Sequence, residues 1–408
     1  MTHSTELQQL RLIRADLSRL IEPGDLLGAT AVQALGPGEL HRLITGGTNP
    51  TAQQQQKVGE TAEASGLGPR QRSLEQGLAR WRTRLGQLNA AEQLRAIGRL
   101  SGGLLIPEDE AWPQQLEDLH PGQPLALWYR GEPSLRCLPQ PGRSIALVGA
   151  REMTDYGGRI AWEIAAELAG HGLTVLSGGA YGIDAAAHRG ALNRAQECPR
   201  SPTLAVLAGG VDRLYPAGNE KLLRQIQEHG LLLSEMAPGS APTKSRFLHR
   251  NRLIAALAAA TVVVQARWRS GALSTANHAL NIGRAVGAVP GSILEPASAG
   301  CHRLLQETPA RLITDAADAA QLISGHLEPT HAQNGEPAPT EEEKEPAQDQ
   351  LTEVQDRIFD ALPVRKYTAP GKLAEVAGLP IPTVLTTLTK LQRLNLAEAA
   401  NGHWRKGR

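Results

Sequence analysis

The sequence predicts an α/β fold: a doubly wound parallel sheet, preceded by a helical domain and followed by a winged-helix domain. Three observations predict it. Short apolar runs at Ile145–Val148, Leu173–Leu176, Thr203–Leu207, Leu231–Leu233, Thr261–Val264 and Val286–Val289 are bounded by Gly, Pro or Ser. Amphipathic stretches separate most of them, with Ile160, Ile164 and Leu168 marking one helical stripe; strands alternating with helices make a parallel sheet. Beyond Leu351 a stripe of Val354, Ile358 and Leu362 leads into two further helical segments and a small hairpin pattern.

Taken in order, residues 1–100 are rich in Leu, Gln, Ala and Arg, and Leu10, Ile13, Leu17, Leu20 and Ile21 lie at helical spacing. Gly-Pro pairs at 36–37 and 68–69 divide this region into short helices, and the polar tract Thr51–Gln56 reads as an exposed loop. The expectation is a small helical domain, SAM- or helix-hairpin-helix-like, for DNA backbone; a docking or spacer domain fits equally, since no Gly-x-Gly hairpin stands out. Residues 101–326 form the sheet domain. It opens with strands at Leu104–Ile106 and Leu125–Tyr129, and Pro107-Glu108-Asp109 reads as a helix start. Residues 327–350 are Pro- and Glu-rich with almost no large apolar residue, which predicts a disordered linker. Within 351–408, Pro370–Gly378 and Pro382–Leu391 read as a helix-turn-helix and Leu396–Trp404 as a wing. The second helix carries Thr386, Thr387, Thr389 and Lys390 but no groove-facing arginine, so DNA readout and protein docking stay equally open.

Bulk composition bounds the function classes. The chain has 408 residues and a formal net charge of +1, so any nucleic-acid site must be a local concentration of charge. Aromatic residues make up 3%, with two Phe, which leaves few rings for base stacking. Cys137, Cys198 and Cys301 lie far apart without a CxxC, which argues against a zinc site or disulfide framework and fits a reducing compartment. The N-terminus lacks a signal-like apolar core, and the run Leu253–Val264 is too short to cross a bilayer. A cytoplasmic protein without metal, cofactor or membrane contact is expected.

Five stretches that follow or adjoin predicted strands carry the chemistry. Gly149-Ala150-Arg151 follows the first parallel strand and fails the GxGxxG dinucleotide pattern, but a Gly and an Arg suit an anion approached from one side. Ser177-Gly178-Gly179 opens a small-residue helix and predicts unobstructed backbone N–H groups. Asp184 and His188, four apart on that helix, are expected to bond to one another on its surface and hold the loop, in preference to acting as an acid/base pair. Gly209-Gly210 leads to Tyr215-Pro216, expected to close over the sheet edge with Asn219 capping the next helix. Lys244-Ser-Arg-Phe247-Leu-His-Arg250-Asn251-Arg252 is the densest basic cluster, and its interleaved aromatic matches single-strand recognition: cations on phosphates, a ring under a base. Ser270-Gly271-Ala-Leu-Ser-Thr275 is a further anion nest at a helix start, with no GxSxG elbow to make Ser270 a nucleophile.

Together VGAR, SGGAYGIDAAAH, AGGVDRLYP, FLHRNR, SGALSTA and GRAVGAVPGS, in that order from Ile145 to Gly300, resemble the DNA-processing protein A family (DprA, also called Smf). The resemblance implies an extended Rossmann-like fold that binds single-stranded DNA, forms a homodimer through that domain and loads the recombinase RecA in natural transformation. It implies phosphate and base contacts at Arg151, Lys244 and Phe247, and pocket positions at Ser177, Gly178, Gly179, Arg250, Asn251, Ser270 and Thr275; Gly149, Arg252 and Gly271 complete the expected DNA site. The chain departs from the family pattern at Tyr181 (usually Arg), Leu248 (Pro), Gln265 (Glu) and His302 (Asn). A non-enzymatic single-strand binder is therefore expected. The rival is a nucleotide phosphoribohydrolase on a related sheet, whose glutamate acid/base after a Pro-Gly-Gly-x-Gly-Thr loop is missing from this sequence.

Overall fold

The strand-like runs assemble into one sheet in the computed structural model, which describes residues 2–131, 138–195, 201–324, 353–363, 366–393, 396–400 and 402–407. The expected linker at 327–350 lies outside the described residues. The chain divides into two compact units, Met1–Thr330 and His331–Arg408.

In the first unit, helices α1 (Thr2–Leu20), α2 (Leu26–Leu35), α3 (Pro37–Thr45), α4 (Ala52–Ala64), α5 (Leu74–Arg82) and α6 (Ala90–Gly98) precede the sheet. The first five close around Leu17, Leu20, Leu40, Ile44, Leu78 and Trp81, all essentially buried, while α6 adds Ala90 and Ile97 to a core shared with the sheet. The tract read as a loop at Thr51–Gln56 is instead the start of α4. Thr51 accepts the N–H of Gln54, and the Gln54 side chain accepts the N–H of Thr51. This reciprocal capping box outweighs the polarity of the run, and its Thr-x-x-Gln signature is present in the sequence.

The sheet has nine strands: β1 (Gly102–Leu105), β2 (Leu127–Arg130), β3 (Ser144–Gly149), β4 (Thr174–Ser177), β5 (Thr203–Val206), β6 (Leu231–Ser234), β7 (Ala260–Gln265), β8 (Ala285–Ala288) and β9 (Arg311–Leu312). Their order is β1-β2-β6-β5-β4-β3-β7-β8-β9. From β6 to β9 all pairings are parallel, whereas β2 runs antiparallel to β6 and β1 antiparallel to β2. The segment joining β1 to β2 contains a short 3-10 helix, Gln114–Leu119, rather than a crossover α-helix, so the two strands meet antiparallel. Pro107–Asp109, expected to start a helix, forms a turn in which Asp109 accepts the Ile106 N–H. β9 consists of two exposed residues, too short for a periodic signal.

Residues of β3 alternate between two cores, as a pleated strand must. Ile145 and Leu147 pack with α7 (Asp155–Gly170) and α8 (Ile183–Leu192) on one face. Ala146 and Val148 pack on the other, where α10 (Lys244–Leu257) and α11 (Gly271–Asn281) supply Leu253, Ile254, Leu273 and Ala276. The remaining helices are α9 (Glu220–His229), α12 (Ala299–Glu307) and α13 (Ala316–Ser324). Strand order reverses at β3, with β4–β6 on one side and β7–β9 on the other. The C-terminal ends of β3 and β7 therefore border the crevice where doubly wound sheets hold ligands.

The N-terminal helices share a core with this sheet: Ala15 of α1 clusters with Ala126, Trp128 and Leu232, and the Trp128 indole donates to Ser18 Oγ at 3.1 Å. Glu22, after α1, takes Arg246 of α10 at 2.6 Å and Arg84 at 2.9 Å, so one carboxylate links the helical region to the helix that opens the crevice.

The second unit comprises α14 (Glu353–Ala361), α15 (Pro370–Ala377), α16 (Ile381–Arg393) and a hairpin of β10 (Ala397–Ala400) with β11 (His403–Lys406). Its core joins Ile358, Leu373, Val384, Leu388 and Trp404. Among the described residues no helix is long and apolar enough to cross a membrane.

Candidate functional site

The floor of the crevice is built by close approach. A Cβ on Gly149 would lie 2.6 Å from Ile183 Cγ1 and 2.9 Å from the Gln265 carbonyl oxygen, so only glycine lets β3 turn here. The Ala150 N–H donates to that same carbonyl at 2.8 Å. The Gln265 side chain then clamps the next turn: its oxygen accepts the Thr154 N–H at 3.1 Å and its amide donates to Thr154 Oγ1 at 2.8 Å. Thr154 caps α7 by accepting the Gly157 N–H. Arg151 is thereby held at the rim by fixed backbone while its side chain stays exposed.

The Ser177–Ala180 loop works differently from the expectation. Its amides point inward and are occupied, so they form no open anion nest. Asp184 Oδ2 accepts the N–H groups of Gly178 at 3.2 Å and Ala180 at 3.4 Å. His188 Nε2 accepts that of Gly179 at 3.3 Å. Thr203 Oγ1 gives its proton to the Val175 carbonyl at 2.7 Å, so its oxygen receives the proton of His188 Nδ1, also 2.7 Å away. This network assigns the neutral Nδ1–H tautomer. Burial, with Arg250 and Arg189 adding to it, pushes the His188 pKa down to about 3, while burial raises that of Asp184, opposed by Arg250. Asp184 and His188 are buried and bond the loop separately, not each other. Asn219 is not a side-chain cap either; it donates to the carbonyls of Gly179 at 3.0 Å and Ala180 at 2.9 Å. Ser177 is buried, its hydroxyl donating to the Leu147 carbonyl at 2.6 Å.

The purpose of so rigid a loop is visible in Arg250. Its guanidinium lies flat against Gly178, where a Cβ would come within 1.8 Å of Nη1. Nη1 donates to the Val206 carbonyl at 2.6 Å. Burial lowers the Arg250 pKa to about 10, partly opposed by Asp184, which leaves it cationic at neutral pH. Above it sits Phe247, with the Arg151 guanidinium 4.7 Å and the Arg250 guanidinium 5.9 Å from its ring centroid. Tyr215 closes the other side at 6.1 Å and 53°. The result is a stack of cation and ring at the mouth of the crevice.

Helical phase sorts the basic cluster of α10. Lys244, Phe247, Leu248, Asn251 and Ile254 share one face and line the crevice. Arg252 projects elsewhere: it is 6% exposed and pairs with Glu235 at 2.8 Å on the side that meets the N-terminal helices. Asn251 reaches across to α11, donating to the Gly271 carbonyl at 3.2 Å. Ser270 caps α11 by accepting the Ala272 N–H at 3.3 Å, and Thr275 lies buried one turn further in.

These elements enclose a cleft of about 490 Å³. Gly149, Arg151, Lys244, Phe247, Arg250, Asn251, Ser270, Gly271 and Thr275 line it. Gly178 lines a recess of about 40 Å³ that adjoins it through Arg151, Tyr215 and Phe247. Ser177, Gly179 and Arg252 line neither. Arg213 and Tyr215 line the recess; the sequence leaves a direct ligand role for their loop open without assigning it to either residue, and a Tyr-Pro following Gly-Gly at a strand end marks that loop. Arg151 and Lys244 are exposed and have no carboxylate partner among the described residues. Among the described residues that line the cleft the one carboxylate is Asp184, whose Oδ2 accepts two loop amides. The arrangement suits an anionic, extended ligand carrying planar groups.

A family model described as DNA recombination-mediator protein A matches residues 103–324. The DprA-named protein of Mycobacterium tuberculosis is 42% identical over 326 residues, 78% of this chain and 80% of that protein. Protein Smf of Escherichia coli is 33% identical over 305 residues, 73% and 76% of the two chains. The crystal structure of DNA processing protein A from Streptococcus pneumoniae superposes with a TM-score of 0.56 at 30% identity, covering 77% of this chain and 98% of that one.

Proposed function

This chain belongs to the DNA recombination-mediator protein A family, and from that premise we propose that its cleft grips the sugar-phosphate backbone of single-stranded DNA. One observation carries the reading: two exposed cations with no carboxylate partner among the described residues, Arg151 and Lys244, flank a half-exposed Phe247 at the switch point of the sheet. Arg151 and Lys244 take phosphates, and Phe247 offers its edge and remaining surface to a base. Arg250 supports the stack from below as a buried cation. A duplex presents its bases paired and inward, whereas a single strand can splay a base against Phe247, so the site favours the single strand. We read its chemistry as binding: Asp184, the carboxylate among the described lining residues, is buried, and its Oδ2 is engaged by the Gly178 and Ala180 N–H groups.

The family resemblance carries the proposal further. A recombination mediator acts by handing its strand to a recombinase, so RecA is the expected partner, with the protein a homodimer through the sheet domain, in the cytoplasm, during natural transformation. Residues 351–408 act as a winged-helix accessory for duplex DNA or a protein.

Fluorescence anisotropy with labelled oligo-dT and duplex of equal length tests the site. Tight, salt-sensitive binding of oligo-dT that is lost in Arg151→Ala/Lys244→Ala supports it. Equal binding by the two proteins moves DNA contact to another surface.

A further inference from the structure

Trp268 stands in the loop between β7 and α11, two residues ahead of Ser270 on the rim of the cleft. It is 55% exposed, while Trp81, Trp128 and Trp404 are buried. A lone exposed apolar side chain needs no explanation; this one is unusual because it is fixed in place. The Gly300 N–H of α12 donates to the Ala266 carbonyl at 2.7 Å, and Arg303 Nη1 donates to the Trp268 carbonyl at 3.4 Å. The same guanidinium lies 5.0 Å from the Trp268 ring centroid. With Arg303 over one face, the exposure belongs to the opposite face and edge. Arg267 and Arg269 flank the indole; Arg267 pairs with Glu152 at 3.0 Å, both ends open to solvent, and Arg269 is exposed without a carboxylate partner among the described residues.

We propose that Trp268 and Arg269 form a second nucleotide subsite for single-stranded DNA, just ahead of the α11 N-terminus and outside the residues that line the cleft. A base stacks on the open indole face and a neighbouring phosphate meets Arg269, as aromatic platforms along a cationic path do in single-strand binders. This rests on the reading of the cleft. Trp268 and Ser270 are two residue steps apart, at most about 7 Å along the chain, so a strand leaving the cleft past Gly271 comes within reach of the indole.

The test is anisotropy of the full chain with an oligo-dT series of increasing length. The affinity of the unmodified protein should step upward once the oligomer reaches from Phe247 to Trp268. Trp268→Ala should lose at least about fivefold on the longer oligomers, the lower end for one stacked base, and leave the shortest bound oligomer unaffected. Trp268→Phe should restore most of the step. Equal affinities for Trp268→Ala and the unmodified protein at every length, with Arg151→Ala/Lys244→Ala still weakening binding, overturn the subsite and leave the cleft. Insensitivity to both changes overturns the cleft as well. A change in sedimentation of Trp268→Ala with unaltered DNA affinity assigns the indole to a protein interface and equally overturns the subsite.

Discussion

His188→Gln should flatten the acid side of the stability profile, and the size of the effect follows from the buried network. The folded His188 pKa of about 3 lies below its ordinary value of 6.5. Above pH 6.5 neither the folded nor the unfolded imidazole is protonated, and the contribution of the neutral ring is fully present. As pH falls through the window from 6.5 to 3, only the unfolded chain takes up the proton, and stability is lost at about 1.4 kcal/mol per pH unit well inside it. Between pH 8 and pH 5 the unmodified protein should therefore lose about 2 kcal/mol that the His188→Gln variant keeps. Asp184 shifts in the opposite direction through burial, but it is common to both proteins and cancels in the comparison. Glutamine can still accept the Gly179 N–H, so the variant should fold, at a cost of about 1 kcal/mol at pH 8 for the lost bond to Thr203. Urea unfolding of the two proteins at pH 8, 6.5 and 5 measures the difference. Parallel pH profiles would refute the neutral, Nδ1-protonated histidine beneath the loop.

Other predictions concern the same elements. Gly178→Ala places a methyl where Arg250 Nη1 lies; displacing that guanidinium from Val206 should cost about 2–4 kcal/mol in urea unfolding and weaken oligo-dT binding. Arg151→Ala/Lys244→Ala should reduce the slope of log K against log salt by about 1.4, at about 0.7 per single-strand phosphate neutralised; an unchanged slope would remove both residues from the DNA path. Arg252→Met should destabilise the fold by about 3 kcal/mol, because Glu235 is left buried without its partner, yet the folded protein should bind oligo-dT with unchanged affinity.

Several features are legible in the sequence because they are local. Each apolar run forms a strand within a residue or two of its expected ends, since continuous Val, Leu, Ile and Ala at that length has no other way to be buried on both faces. The glycines at 149 and 178 mark close-approach positions, and the structure supplies the approaching groups, Ile183 with the Gln265 carbonyl and the Arg250 guanidinium. The Thr51 capping box is equally local, but the polarity of its tract masks it. Tyr215 and Asn219 show no definite site role in the sequence because their partners, Phe247 and the Gly179 and Ala180 carbonyls, lie on other elements.

By itself the sequence determined the alternation of strands and helices, the strand-end position of the glycine loops, and the density of basic residues on α10. Only the tertiary structure decided where those groups point. Gly178 and Gly179 look open to a ligand in the sequence, but α8 turns Asp184 and His188 beneath them and takes up their amides. Arg250, Arg252 and Lys244 look alike in a list of charges, yet one is buried under Phe247, one is paired with Glu235 and one is exposed at the rim. The physical reason is that periodicity comes from the backbone and is written locally. The rotation of a helix about its own axis is set instead by the distant side chains it packs against, and that rotation chooses which cation meets solvent.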